Sequence, residues 1–288
     1  MNGRELLEKM RQDDLVLSMS LRVGMGNPSI EVAKKTGFDF IYIDFEHGVI
    51  MIETFAQIVR EAKLNGLLTL CRAPSLDVGF VSRVLDAGTS GVVFPHIMTK
   101  EDAVRAIELI KFRTEDIPFG KRGFEPAYGL GKSDDEDWDA YFQRVNEETL
   151  VGLMIEDREG VENIEEILSV EGVDIVYIGK MDMAFSYGVP FTPLAGRDAP
   201  IIEEAITKIC VQCKKKGIPV RFTVGRDPDE IVPNAKRWIE KGRSTLFMVN
   251  DQALLTQGAR KYVDALKGLN TGAHATRIPP KPYLSEEG

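Results

Sequence analysis

Eight short apolar runs, each followed by a stretch of helical periodicity, constrain this chain more than any other feature. The runs are Leu15–Met19, Phe38–Asp44, Gly66–Cys71, Gly91–Phe94, Val151–Ile155, Val173–Ile178, Ile218–Val224 and Ser244–Val249. They are rich in β-branched residues and too short for buried helices, so they read as parallel strands covered on both faces. Helical spacing of apolar residues predicts helices near 29–35, 51–64, 78–85, 100–110, 138–147, 201–216, 230–241 and 253–266. One unit displays the pattern most fully. Val151–Ile155 is followed by Val161, Ile164, Ile167 and Leu168 at helical spacing and then by Val173–Ile178, a β-α-β unit. Eight strands alternating with helices over roughly 250 residues predict a (β/α)₈ barrel. The alternative is a doubly wound open sheet. Its dinucleotide fingerprint is absent, since Gly24-Met-Gly26 is only a fragment of one. The expected organisation is one barrel domain over residues 1–268 and an extended tail, containing Pro-Pro-Lys-Pro-Tyr, over 269–288.

Composition narrows the function classes. With 288 residues, 43% of them hydrophobic, the chain can bury a full core. A net charge of -9 argues against a nucleic-acid or anionic-membrane surface. No apolar run approaches the roughly 20 residues that span a bilayer. The N-terminus reads as a short polar helix rather than a signal peptide. Three cysteines, an odd number, point to a reducing compartment, so a cytoplasmic protein is expected. Cys210 and Cys213 fall within a helical pattern without a second pair, which reads as helix packing rather than a metal or redox site.

The residues with chemical capacity lie just past strand ends. Asp44, Glu46 and His47 follow the second strand, Arg72 the third, His96 the fourth, Glu156 the fifth, and Lys180 and Asp182 the sixth. In a parallel barrel these ends share one edge, the edge where catalytic sites assemble. Glu156 and Asp182 converging there, with Asp157 and Glu159 near, suggest a hard divalent cation. The alternative is that each acid caps the helix that follows it. The loop from Lys111 to Asp137 is long enough to be functional, and its Ser-Asp-Asp-Glu-Asp run reads as a solvated face.

Several of these segments together carry a resemblance. Phe38-Asp-Phe-Ile-Tyr-Ile-Asp-Phe-Glu-His-Gly48, Leu70-Cys-Arg-Ala-Pro74, Val84–Pro95, Lys121-Arg-Gly123, Ile155–Gly179 and Met181-Asp-Met-Ala184 resemble the HpcH/HpaI aldolase family, which holds 4-hydroxy-2-oxoheptanedioate and 2-dehydro-3-deoxyglucarate aldolases. The likeness runs from about Leu15 to Leu266 and rests on the motifs in combination. It implies a (β/α)₈ barrel with its last helix swapped between subunits, a homohexamer built from dimers, and Mg²⁺, Mn²⁺ or Co²⁺. The implied activity is cleavage or formation of a 4-hydroxy-2-oxo acid from pyruvate, through its enolate, and an aldehyde.

Carried over by motif, Glu156 and Asp182 would ligate the metal and Arg72 would contact the ketone oxygen and enolate. His47, oriented by Asp44, would move protons. The backbone N–H groups of Met181 and Asp182 would hold the pyruvate carboxylate. The residue types suit these roles. Two carboxylates leave a six-coordinate cation open to a 2-oxo acid, and a planar guanidinium suits a developing oxyanion. An imidazole can exchange protons near neutrality.

Structural alternatives stand beside them: His47 bonded to a loop carbonyl, Arg72 bridged to Glu46, Asp44 as a brace, His96 as a rim residue. Lys180 raises a Schiff-base mechanism, against which Asp182 two residues on would keep its ammonium charged. The chain also departs from the family pattern. Gly179-Lys-Met-Asp-Met-Ala184 replaces Gly-Pro-Ala-Asp-Leu-Ser, Ser18-Met19-Ser20 replaces an aromatic, and Phe45 fills a small-residue position. These changes leave the acceptor open. A related synthase or decarboxylating enzyme acting on a 2-oxo acid is the enzyme alternative, and a degenerate barrel acting as a binding subunit is the other.

Overall fold

A computed structural model describes residues 1–24, 26–125, 131–190, 199–223, 228–241 and 245–267. Its strands are β1 (Val16–Leu21), β2 (Phe40–Asp44), β3 (Leu68–Arg72), β4 (Gly91–Phe94), β5 (Leu150–Ile155), β6 (Ile175–Ile178), β7 (Val220–Thr223) and β8 (Leu246–Asn250). All pair in parallel in sequence order, and β8 closes on β1. The expected (β/α)₈ barrel is therefore the observed fold, with strand ends displaced by a few residues.

Strand periodicity explains the position of the site. Along β2, Phe40 and Tyr42 join the cluster inside the barrel, while Ile41 and Ile43 pack in the layer beneath the helices. One period on, Asp44 faces inward at the C-terminal edge. The same count carries Leu70 to Arg72 on β3, and Met154 to Glu156 just past β5. Glycine at 91 and 152 leaves room where the interior narrows: a Cβ at Gly152 would press on Val93 and Tyr177.

Helices α1 (Gly3–Arg11), α2 (Asn27–Thr36), α3 (Ile52–Leu64), α4 (Val78–Asp86), α5 (Lys100–Ile110) and α6 (Trp138–Glu148) precede β5. The N-terminal helix expected as polar is amphipathic. An Asn2/Glu5 capping box starts α1, and its Leu6, Leu7 and Met10 seal the N-terminal mouth of the barrel. Full burial of such side chains stabilises by about 1.5–3 kcal/mol each. Gly88, expected just past the end of α4, adopts φ 92, the left-handed conformation that glycine accepts without strain.

The continuous helix expected after β5 is two short ones, α7 (Arg158–Glu162) and α8 (Ile164–Ile167). They meet at Asn163, whose side-chain amide donates to the Met98 carbonyl at 2.9 Å and anchors the junction to the segment before α5. Helix α9 (Lys180–Ser186) follows β6 where no helix was expected, then come α10 (Pro200–Lys216), α11 (Pro228–Glu240) and α12 (Asp251–Lys267). Cys210 and Cys213 are buried on α10, as packing residues.

Residues Met1–Leu254 form one compact unit, and the chain from Leu255 forms a second. Within the second, Leu255, Tyr262, Val263 and Leu266 are exposed. The tail expected over 269–288 lies outside the described residues. Among the described residues no helix is long and apolar enough to cross a membrane.

Candidate active site

Five strand ends supply one polar cluster at the C-terminal edge of the barrel. Asp44 and Arg72 occupy paired register positions on β2 and β3. Both Asp44 oxygens take the Arg72 guanidinium, Nε to Oδ1 at 2.8 Å and Nη2 to Oδ2 at 2.5 Å. Arg72 Nη1 reaches Glu46 Oε2 at 2.6 Å and also contacts the Met154 sulfur at 3.5 Å. Burial alone would raise the Asp44 pKa and lower that of Arg72. The pairing overcomes it in both: Asp44 is held below its ordinary value and Arg72 above. Arg22, beyond β1, adds a longer contact to Asp44 at 3.4 Å.

His96 follows β4 with a left-handed φ of 51. That conformation aims its N–H at Glu156 Oε1, 3.1 Å away. Its ring stands between acids, with Nδ1 2.8 Å from Asp157 Oδ2 and Nε2 3.2 Å from Glu46 Oε1. Burial would lower the imidazole pKa, but the Asp157 hydrogen bond and the charges of Glu156, Asp157 and Glu46 hold it above its usual value.

Glu156 is the deepest of these acids, at 1% exposure. Burial pushes its carboxyl up to about 7; Asp182 adds to the shift, and His96 and Arg72 oppose it. Gly179 passes directly over this carboxylate, and a Cβ there would collide with Oε2. Glu156 Oε2 is buried and has no hydrogen-bond partner. An orphaned carboxylate oxygen beside a second carboxylate and an imidazole fits a cation. Glu46, His96 and Glu156 bring ligand atoms within 4.8 Å of one another and could hold a metal ion.

Each expected site residue can now be placed. Asp44, Arg72 and Glu156 come together at the barrel mouth. Asp182 lies in the first turn of α9, half-buried, outside the Glu46–His96–Glu156 group but close enough for its charge to act on Glu156. The N–H groups of Met181 and Asp182 open that same helix, where backbone donors have no intrahelical acceptor. The His47 side chain is exposed; Asp44 receives only its backbone N–H, at 3.3 Å. The Lys180 ammonium lies 5.2 Å from the centre of the Trp238 ring.

Phe45 points out of the barrel and packs edge-on against Phe55 and Phe80. Its bulk therefore fills the helix layer rather than the site.

Sequence reasoning treated His96 and Glu46 as rim or bridging residues and overlooked Arg22, Asp251 and Arg221. Asp251 opens α12 and accepts the backbone N–H groups of Arg22, Val23 and Gly24 at 2.8, 3.0 and 2.7 Å, fixing the β1 loop beside Asp44. Arg221 is buried inside the barrel between Tyr42 and Tyr177. The signal for Arg221 was the alternation Val-Arg-Phe-Thr in β7, which turns its side chain inward.

Comparison with known proteins agrees with this architecture. The family model described as HpcH/HpaI aldolase/citrate lyase matches residues 23–250. A 4-hydroxy-4-methyl-2-oxoglutarate aldolase of Chaetomium globosum is 32% identical, over 74% of this chain and 77% of the relative. A 5-keto-4-deoxy-D-glucarate aldolase of Citrobacter koseri is 28% identical, over 84% and 89%. The crystal structure of an HpcH/HpaI aldolase from Desulfitobacterium hafniense superposes with a TM-score of 0.81 at 25% identity, covering 92% of this chain and 98% of that one.

Proposed function

This chain belongs to the HpcH/HpaI aldolase/citrate lyase family and is an aldolase, a carbon–carbon lyase; we propose that it makes or breaks a 4-hydroxy-2-oxo acid through the enolate of pyruvate, with an aldehyde as the other partner. The observation that carries this reading is Arg72, locked by Asp44 and Glu46 beside a buried carboxylate, Glu156, that has one unpartnered oxygen.

Glu156 and Asp182 would hold a divalent cation, Mg²⁺, Mn²⁺ or Co²⁺. When bound, such a cation supplies Lewis-acid polarisation of the ketone. Arg72 directs its donors at the ketone oxygen and stabilises the negative charge that gathers there as a methyl proton leaves. Asp44 and Glu46 fix the guanidinium plane, so little reorganisation is needed when charge develops. The N–H groups of Met181 and Asp182 receive the oxo-acid carboxylate at the start of α9. His47, exposed at the mouth, serves as the proton-transfer group, its backbone tied to Asp44.

The relatives named above act on branched or polyhydroxylated dicarboxylic substrates, as their names state. An acidic acceptor is consistent with Arg22 standing at the rim. We also propose a homohexamer, a trimer of dimers exchanging their last helices, supported by the exposed apolar residues of 255–267.

The test is pyruvate in D₂O without any aldehyde. Proton NMR should show loss of the methyl signal in the presence of Mg²⁺ or Mn²⁺, and EDTA should stop it. A methyl signal unchanged from buffer would favour a binding subunit instead.

A further inference from the structure

Arg221 carries a full charge into the middle of the barrel with no acid to meet it. The alternation of β7 turns its side chain inward, where 4% of the residue is exposed. Among the described residues no carboxylate pairs with it. Its Nη2 donates to the Met248 sulfur, a weak acceptor, and Nε on the same edge has no acceptor at all. Asp44 stands one layer up, two residues beyond Tyr42 on β2, but both of its oxygens are taken by Arg72. Burial draws the Arg221 pKa down, and the charge of Arg72 adds to that more than Asp44 opposes it. A guanidinium nevertheless keeps its proton in a protein near neutrality. The charge stays, and the pair above repels it rather than balancing it.

The groups around Arg221 are donors in the same condition. Tyr42 and Tyr177 stack with ring centres 5.7 Å apart. The guanidinium carbon lies 5.7 Å from the first and 5.2 Å from the second, so one cation and two rings form a nearly equilateral triangle. Both phenol hydroxyls are buried without a partner. The Ser20 hydroxyl is too; Ser20 is in register with Tyr42 and faces the interior, since Met19 and Leu21 pack outward. Burial raises the pKa of both phenols, so each keeps a proton to donate. Buried polar groups are almost always hydrogen-bonded, and buried charges are paired. One region of the interior breaks both rules. Water satisfies hydroxyls but brings no charge, whereas an anion answers the hydroxyls and the guanidinium together.

We propose that the barrel interior binds a small monovalent inorganic anion of the chloride type, seated on the Nε edge of Arg221 and drawing on the hydroxyls of Tyr42, Tyr177 and Ser20. One guanidinium calls for one negative charge, which disfavours sulfate and phosphate. The four side chains belong to residues exposed by 4% or less, an enclosure that excludes organic carboxylates. The site lies a layer beneath Asp44 and Arg72, and none of its four donors has a part in the aldol chemistry. It therefore stands or falls apart from that reading.

The experiment uses the full-length protein in sodium gluconate, with sodium bromide or chloride substituted at constant ionic strength. Crystals soaked in bromide should show an anomalous peak within hydrogen-bonding distance of Arg221 Nε. In solution the wild-type Tm should rise with the logarithm of halide concentration, by about 2 °C or more once the concentration is well above Kd. Arg221→Met should lose that rise, and Tyr42→Phe should reduce it. In gluconate alone Arg221 has no counter-ion, and there the methionine variant is expected to lose no stability. The diffraction experiment reads the wild type only, so it decides the matter whether or not Arg221→Met folds. Density at Nε that refines as water without anomalous signal would overturn the proposal. An equal halide response in wild type and Arg221→Met would overturn it as well, since that is a general salt effect on the surface.

Discussion

Asp44 and Arg72 face each other across neighbouring strands at matched register, joined by two hydrogen bonds of 2.8 and 2.5 Å. A pair so placed cannot swivel: the guanidinium plane is set by the sheet itself. Arg72→Lys keeps the charge and loses the fork. The expected outcome is a fall in pyruvate proton exchange on the order of 10²–10³-fold, with much smaller loss of pyruvate binding. Near-normal exchange in the variant would make the Asp44–Arg72–Glu46 bridge purely structural.

Much of this site was legible from the chain because a parallel barrel has few ways to arrange itself. Once the eight runs are strands, Asp44, Arg72 and Glu156 must meet at one edge, and they do. Pattern could not say what each would touch. His96 looked like a rim residue because nothing in Phe-Pro-His-Ile signals a left-handed turn; that turn is what brings it to Glu156. His47 looked like the partner of Asp44, yet both Asp44 oxygens are committed to Arg72. Residues 161–172, read as one helix, hold the end of one short helix and the whole of a second, meeting at Asn163, whose side chain bonds to Met98, a contact no local propensity contains.

Glu156 gives a pH dependence whose sign can be stated. An ordinary carboxyl titrates near 4.5, and burial, with Asp182, pushes this one up to about 7. The folded protein without metal thus holds the proton more tightly than the unfolded chain. That stabilisation is complete below about pH 4.5 and is lost as pH rises through about 7. His96, also held above its ordinary value, acts in the same direction. A cation must displace the Glu156 proton, so its apparent affinity should rise by up to about tenfold per pH unit below 7 and then level off. Thermal melts with and without Mn²⁺ from roughly pH 5 to 8 check this. The metal-induced gain in Tm should grow with pH, and Glu156→Gln should abolish the trend; a gain largest at the acid end contradicts it.

Lys180 offers the competing chemistry, a Schiff base with pyruvate. A nucleophilic lysine must be neutral, which calls for burial or a neighbouring cation. Lys180 is only half-buried, with Asp182 two residues on and its ammonium 5.2 Å from the centre of the Trp238 ring. Borohydride added with pyruvate should therefore leave the intact mass unchanged, while EDTA should abolish turnover and Mn²⁺ restore it. A pyruvyl adduct at Lys180 in an EDTA-resistant enzyme would reverse the mechanism.

Arg221 poses a question of stability rather than catalysis. It is buried inside the barrel, with its guanidinium 5.2 Å from the Tyr177 ring centre and 5.7 Å from that of Tyr42, and Nη2 on the Met248 sulfur. Its Nε has no partner, nor do the hydroxyls of Ser20, Tyr42 and Tyr177. Burial lowers its pKa, and the charge of Arg72 above pushes the same way. Taking an ion out of water costs several kcal/mol, and replacing such groups with apolar ones of similar volume is often neutral or stabilising. The two rings return part of that, up to about 2 kcal/mol for a desolvated cation–π contact. Methionine has similar length and no charge, and it adapts to an irregular cavity. Arg221→Met is therefore expected to hold or raise the Tm of the metal-free protein, with the barrel's far-UV spectrum unchanged. A loss beyond about 2 kcal/mol by denaturant titration would mean that the tyrosine rings more than offset the desolvation.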